Sequence, residues 1–302
     1  STISFLYNHV SITIIKLFLI VSIIITQSNQ SSSKSLKLKP RIYKGTAAKE
    51  NQFPWISYLR VFPPEDDYFT ECGGTLIDER HLLTAAHCLY IDAETLAQPA
   101  DIYSLLNITE EPWPMRNPNP TELYYIHPEF NISADWIMAH DLAIIRLSSP
   151  VTIEPICIHK GDNLTDNQEL TAAGFGTIDG SDEDDNYYLN YVKVNYLTRD
   201  ECESERQSFV DRQLTSKKMD PNQVPELLET QFCAINQQTR GDTCPGDSGG
   251  PLIYSDSLGD SLVGLVTGSW TKCGSPDVPG IYTWVAKYLD WIKSKGVKPC
   301  EK

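Results

Sequence analysis

Short apolar runs separated by polar punctuation set the rhythm of this chain, and that rhythm predicts strands. Runs at 55–62, 72–77, 142–147, 189–197, 262–267 and 280–284 are bounded by Gly, Pro, Asn and Asp, as strands are. The pattern changes near the carboxyl end. Val285, Leu289 and Ile292 recur at helical spacing, which predicts a terminal helix over about 285–295. No internal repeat is evident. The run Asp-Gly-Ser-Asp-Glu-Asp-Asp at 179–185 reads as a solvated loop, because like charges at that density resist packing.

The amino end follows a different logic. Residues 17–25, Leu-Phe-Leu-Ile-Val-Ser-Ile-Ile-Ile, form an apolar run behind Lys16, the pattern of a secretory signal. Extended back through Val10 the run is still short for a membrane span, so a cleaved signal over 1–28 is expected, with a signal anchor as the alternative. The chain opens on Ser1, so that leader is expected to be incomplete at its start. Residues 27–40 are rich in Ser and Lys and read as flexible; 29–41 would be a short pro-segment. The net charge is −15, and 1–41 carry five of the 25 basic residues and no acid. The remaining 20 basic against 40 acidic residues argue against nucleic acid as a partner, since phosphate binding needs a basic face. Sequons stand at Asn29, Asn107, Asn131 and Asn163 in polar stretches.

Three motifs carry chemistry. Residues 242–251 read Asp-Thr-Cys-Pro-Gly-Asp-Ser-Gly-Gly-Pro. A serine between glycines is a nucleophile candidate in a tight turn, where the N–H groups of Gly246 and Ser248 would bind an oxyanion. A serine hydroxyl needs a base, and the base needs an orienter. Thr84-Ala85-Ala86-His87-Cys88 supplies the first and Asp141-Leu142-Ala143-Ile144-Ile145 the second, its apolar flank burying the carboxylate. His140 reads as a rim residue, and His9, His81, His127 and His159 lack comparable flanks. No two histidines stand at metal-ligand spacing, so no metal or other cofactor is expected.

These motifs, in this order, resemble the chymotrypsin/trypsin family of serine proteases, and the likeness runs from about Arg41 to Ile292. The run Cys-Gly-Ser-Pro-Asp-Val-Pro-Gly-Ile-Tyr-Thr at 273–283, the cysteine at 157, and Leu170 and Tyr254 where many relatives carry a further disulfide resemble the catalytic domain of arthropod clip-domain proteases. The resemblance implies an all-β fold of two six-stranded antiparallel barrels, over about 42–156 and 163–284, with a cleft between them. His87 and Asp141 would come from the first barrel and Ser248 from the second. Ser248 would be nucleophile, His87 base and Asp141 orienter.

The same resemblance places Asp242 at the base of the primary specificity pocket, implying cleavage after Arg or Lys. Gly280 would keep one wall open. At the pocket mouth a family glycine is replaced by Ser269 if the segment is read without a gap, or by Thr271 if it is aligned on its Ser-Trp pair. Arg41-Ile42-Tyr43-Lys44-Gly45 resembles a zymogen activation site, departing from Ile-Val-Gly-Gly at two positions. The freed Ile42 ammonium would pair with Asp247. The family implies the disulfides Cys72–Cys88, Cys202–Cys233 and Cys244–Cys273. That leaves Cys157 and Cys300, paired with each other or with another chain. A secreted endopeptidase is the expectation, with protein or peptide substrates, an activating protease, serpin- or Kunitz-type inhibitors, no calcium site and no stable membrane association after signal cleavage. A non-catalytic protease homologue that binds partners is the alternative.

Overall fold

The computed structural model describes residues 42–63, 69–92, 94–110, 115, 117–131, 138–161, 164–177, 188–216, 224–275 and 277–302. The expected leader and pro-segment with Arg41, the sequons at Asn29 and Asn163, and the acidic run at 179–185 lie outside the described residues.

A two-residue strand, β1 (Thr46–Ala47), precedes the first barrel. That barrel comprises β2 (Ile56–Val61), β3 (Thr70–Leu76), β4 (His81–Thr84), β5 (Ile102–Leu106), β6 (Asn119–Ile126) and β7 (Ala143–Leu147). They close in the order β2-β3-β4-β7-β6-β5 with every neighbour antiparallel. The unbroken apolar runs have a physical reason. In β2, Leu59 and Val61 enter the barrel core while Ile56 and Tyr58 enter a second cluster shared with the other barrel. In β7, Ala143, Ile145 and Leu147 face inward and Ile144 faces the other barrel. A strand buried on both faces has no polar side to alternate with.

The second barrel begins with β8 (Cys157–Ile158) and continues with β9 (Glu169–Gly174), β10 (Asn190–Leu197), β11 (Gln231–Ile235), β12 (Pro251–Asp256), β13 (Gly259–Ser269) and β14 (Gly280–Trp284). Six of them form a closed ring, β9-β10-β11-β14-β13-β12 and back to β9. β8 adds to β13 in parallel, inside the expected junction. β1 pairs with β10, Thr46 opposite Tyr191, and Ile42 is buried in the second barrel's core. The first barrel's strands therefore start at Ile56, and the stretch expected to open that barrel belongs instead with the second. Leu170 is buried in the same core with Tyr254 packed against it, an apolar contact at the two positions that lack the further disulfide.

A turn of tight helix at Val285–Tyr288 leads into α2 (Leu289–Ser294), which follows α1 (Arg199–Ser216) in the chain. Val285, Tyr288 and Ile292 lie in the cluster between the barrels, so the terminal helix packs where they meet. α1 escaped the apolar pattern because it buries only Cys202, Phe209 and Val210. Its start is nonetheless written in the sequence. Thr198 and Glu201 form a capping box: the Thr198 N–H and hydroxyl donate to Glu201 Oε2 (2.9 and 2.7 Å), and the Glu201 N–H donates to Thr198 Oγ1 (3.4 Å). No helix among the described residues is long and apolar enough to cross a membrane.

Four disulfides join Cys72–Cys88, Cys157–Cys300, Cys202–Cys233 and Cys244–Cys273, with Cα separations of 6.1, 4.4, 5.8 and 5.1 Å. The second ties the inter-barrel linker to the chain's last residues, which also pair as backbone: Ile158 N–H donates to Cys300 O (2.7 Å) and Lys302 N–H to Ile158 O (3.0 Å). It spans 143 residues. A Cys157→Ser/Cys300→Ser double variant is expected to lose roughly 2–5 kcal/mol, read as a fall in the urea midpoint. An unchanged midpoint would show that the backbone pairing alone holds the tail.

Candidate active site

His87 sits on a single turn of tight helix, Ala86–Leu89, that directly follows β4 and is tethered to β3 through Cys88. Asp141 immediately precedes Leu142 and β7 and is fully buried. β4 pairs with β7, Thr84 opposite Ala143, which brings the two residues side by side. The contact is double. His87 N–H donates to Asp141 Oδ1 (2.9 Å), and Nδ1 meets Oδ2 at 2.7 Å. A carboxylate only accepts, so Nδ1 carries the proton and Nε2 is left with its lone pair. The second barrel braces this acid from behind: Thr283 Oγ1 donates to the Asp141 carbonyl (3.2 Å) and meets Thr267 Oγ1 at 2.7 Å. Burial opposes protonation of the imidazole, but the charge and hydrogen bond of Asp141 outweigh it and hold the His87 pKa above its ordinary value.

Ser248 lies in the turn between β11 and β12. Its carbonyl accepts the Gly73 N–H (2.7 Å) and lies 3.6 Å from Cys88 Sγ, so the turn is seated against β3 and the His87 loop. Glycine is required there. Gly249 has φ +73°, and a Cβ on it would fall 2.3 Å from Thr84 Oγ1 and 2.6 Å from the Ala85 N. No hydrogen bond joins Ser248 Oγ to His87 Nε2 in this structure; such contacts commonly tighten only when substrate binds. Among the described residues, the N–H groups of Gly246 and Ser248 donate to no other backbone group.

Asp242 is nearly buried. Its Oδ1 accepts the Thr243 N–H (2.8 Å) and its Oδ2 the Gly274 N–H (3.0 Å). Burial pushes its pKa up to about 6 against the pull of those two hydrogen bonds. The Cys244–Cys273 disulfide joins the segment just after Asp242 to the segment that follows β13, and β13 and β14 pair Ser269 directly with Gly280. Ser269 thus lies directly beside Gly280. Its hydroxyl donates to Pro279 O (3.2 Å), and Trp270 turns into the core.

Two of the three expected activation residues, Ile42 and Asp247, both bond Gly176. Ile42 is wholly buried, and its N–H donates to Gly176 O (3.2 Å). Asp247, also wholly buried, accepts the N–H of the same Gly176 (2.7 Å) and of Cys244 (2.8 Å). Tyr43 and Asp242 exchange two backbone hydrogen bonds, 3.0 and 3.1 Å. Lys44, which replaces a family glycine, takes the left-handed backbone a glycine would take (φ +56°), and Gly45 N–H closes the turn on Ile42 O (2.8 Å).

Two residues of this neighbourhood were missed by sequence reasoning: Thr267 and Thr283, whose hydroxyls brace Asp141. No motif marks either of them. The remaining described histidines divide. His81 binds both oxygens of Asp78 (2.8 Å each) and His159 accepts the Gly161 N–H (3.2 Å), both local structural contacts. His127 and His140, separated in sequence, stack with ring centroids 5.0 Å apart, and Glu129 joins them. Cys72, His87 and Cys88 also cluster, but their two sulfurs are committed to a disulfide and cannot ligate a metal.

Comparison with known proteins places the chain in a family. The trypsin family model matches residues 42–292. A CLIP domain-containing serine protease B4 of Anopheles gambiae is 29% identical over 89% of this chain and 74% of its own length. The venom serine protease Bi-VSP of Bombus ignitus is 31% identical over 83% of this chain and 67% of its own. Among solved structures, neuropsin, a serine protease of mouse brain, superposes with a TM-score of 0.65 at 25% identity, covering 85% of this chain and all of that one. The chain belongs to the trypsin family of serine proteases.

Proposed function

We propose that the protein is a secreted, trypsin-like endopeptidase, made as a zymogen, that hydrolyses peptide bonds after Arg or Lys. The observation that carries this reading is the double clasp of His87 by a buried Asp141 beside the Ser248 turn. Ser248 Oγ attacks the scissile carbonyl as His87 Nε2 takes its proton. The tetrahedral oxyanion rests on the Gly246 and Ser248 N–H groups. His87 then protonates the leaving amine, and water repeats the sequence to release the acyl group. Asp141 holds the tautomer and stabilises the imidazolium. Asp242 pairs with the guanidinium or ammonium of the residue before the bond, and Ser269 narrows the entrance that Gly280 leaves open.

Cutting at Arg41–Ile42 replaces an amide by an ammonium. Ile42 and Asp247 already meet through Gly176, so the new charge needs little movement to reach the carboxylate. The leader and the four disulfides fit secretion. An activating protease and serpin- or Kunitz-type inhibitors would be its regulators.

The test is to treat the full chain with trypsin and assay it on Arg, Lys and Phe peptide anilides. Activity is expected only after cleavage, and on Arg and Lys far above Phe. An Arg41→Gln chain should stay silent under the same treatment. Full activity in the uncut chain would overturn the zymogen reading. No turnover after Ile42 has been freed would favour a non-catalytic homologue.

A further inference from the structure

We propose that His127, Glu129 and His140 form a binding site for a divalent transition metal of the zinc class, set against the segment that carries Asp141. The three side chains each offer a ligand atom, and those atoms all lie within 4.8 Å of one another. His140 Nε2 and Glu129 Oε2 are 3.4 Å apart, close to the spacing of two ligands on one tetrahedral zinc, each about 2.0–2.2 Å from the ion. Two imidazoles and a carboxylate suit zinc, copper or nickel rather than calcium or magnesium, which take oxygen ligands. Three protein ligands leave a fourth position for water.

The surroundings are those of a supported site. His140 Nδ1 meets the Tyr288 hydroxyl at 3.1 Å, which orients the ring and leaves Nε2 toward Glu129. His127 is nearly buried, with Tyr288 and Trp291 against its ring at 5.0 and 5.1 Å. The other two ligands have room to move: the His140 side chain is 26% exposed and that of Glu129 70%. Movement is needed. The two rings are nearly parallel, 12° apart, and one ion cannot lie in both planes at once. One ring must turn about χ2, a broad torsion that costs little. The Glu129 N–H that donates to His127 Nδ1 at 3.3 Å is a long contact, and a turn of His127 would break it.

The site brackets Asp141. His140 is the residue before it, held at φ +53°. His127 N–H donates to the carbonyl of Leu142, the residue after it (3.0 Å). Because the ligands hold the residues on either side of Asp141, a metal that pulls the His127 and His140 rings together would strain the segment that sets its clasp on His87. Loss of turnover on metal binding follows, and this consequence rests on the proposed protease function.

The experiment has two arms. In the first, the purified full chain is titrated with Co2+, followed by its visible ligand-field bands, and the bound ion is displaced with Zn2+. One equivalent is expected. Glu129→Gln and His127→Gln should each weaken binding by more than about 10-fold, since even supporting partners of a ligand are worth about 10–100-fold. Glu129 is exposed, so its replacement leaves folding intact. Absence of a one-equivalent site, or unchanged affinity in both variants, would overturn the proposal. In the second arm, Zn2+ should lower kcat of the trypsin-cut wild type while leaving the His127→Gln rate near that variant's own metal-free value. Binding with unchanged turnover would support the site and overturn its coupling to Asp141. If the cut chain had no activity at all, the function would fail and the first arm would still decide the site.

Discussion

Ser248→Ala is expected to lower kcat/KM on an Arg-peptide substrate by on the order of 10⁴-fold or more while leaving the fold unchanged. The two halves of this expectation have separate causes. The chemistry is expected to be lost because alanine carries no hydroxyl to attack the scissile carbonyl. The fold is kept because the structural work at this position belongs to the backbone: the carbonyl of Ser248 accepts the Gly73 N–H, and its hydroxyl has no bond to His87 to lose. The urea midpoint should therefore match wild type within about 0.5 kcal/mol. Near-wild-type turnover would remove Ser248 as the nucleophile. The wild-type pH profile carries a further check. The base must be neutral to act, and Asp141 holds the His87 pKa above its usual 6.5. Activity should rise with pH through a value above 6.5, and a limb below it would contradict the clasp.

Asp242→Ser should reduce kcat/KM for Arg and Lys substrates by about 30- to 5,000-fold, the equivalent of the 2–5 kcal/mol typical for stranding one member of a buried charge pair. Phe substrates should lose nothing comparable, so the preference collapses. The acid side of the KM profile should follow the same residue. With its pKa pushed up to about 6, Asp242 takes up a proton as the pH falls through that value. Only the ionised carboxylate attracts a cation, so KM for Arg substrates should climb there. The serine variant should show no such climb. Equal hydrolysis of Arg and Phe substrates by the wild type would end the assignment.

Much of this fold is legible in the order of the amino acids. Runs such as 142–147 and 280–284 became β7 and β14, because strands buried on both faces are written as continuous apolar stretches. The shorter strands hid for the opposite reason. β4 is four residues long, and β9 mixes Glu, Thr and Gly with apolar residues, so neither separates from a loop by pattern. α1 hid because it lies on the surface, and only its capping box marks it. At the site, the three motifs gave His87, Asp141 and Ser248 by residue type and order. Thr283 was invisible because its hydroxyl matters only through a contact with Asp141 that lies 142 residues away in sequence. His127 and His140 read as ordinary histidines for the same reason: β6 and β7 pair Ile126 with Ala143, and this closes a sequence gap that no ligand motif spans.

On the proposed activation, the backbone bridge between Tyr43 and Asp242 would couple the new amino terminus to the proposed specificity pocket. If inserting the Ile42 ammonium favours the pocket's ordered form, then filling the pocket must favour insertion by the same factor, because coupling free energies are reciprocal. A small amidinium held by Asp242 would then shield the Ile42 amine from carbamylation, and a carbamylated terminus would bind the amidinium more weakly to the same degree. The enzyme's own substrates would thus keep it in its active shape while they are being consumed.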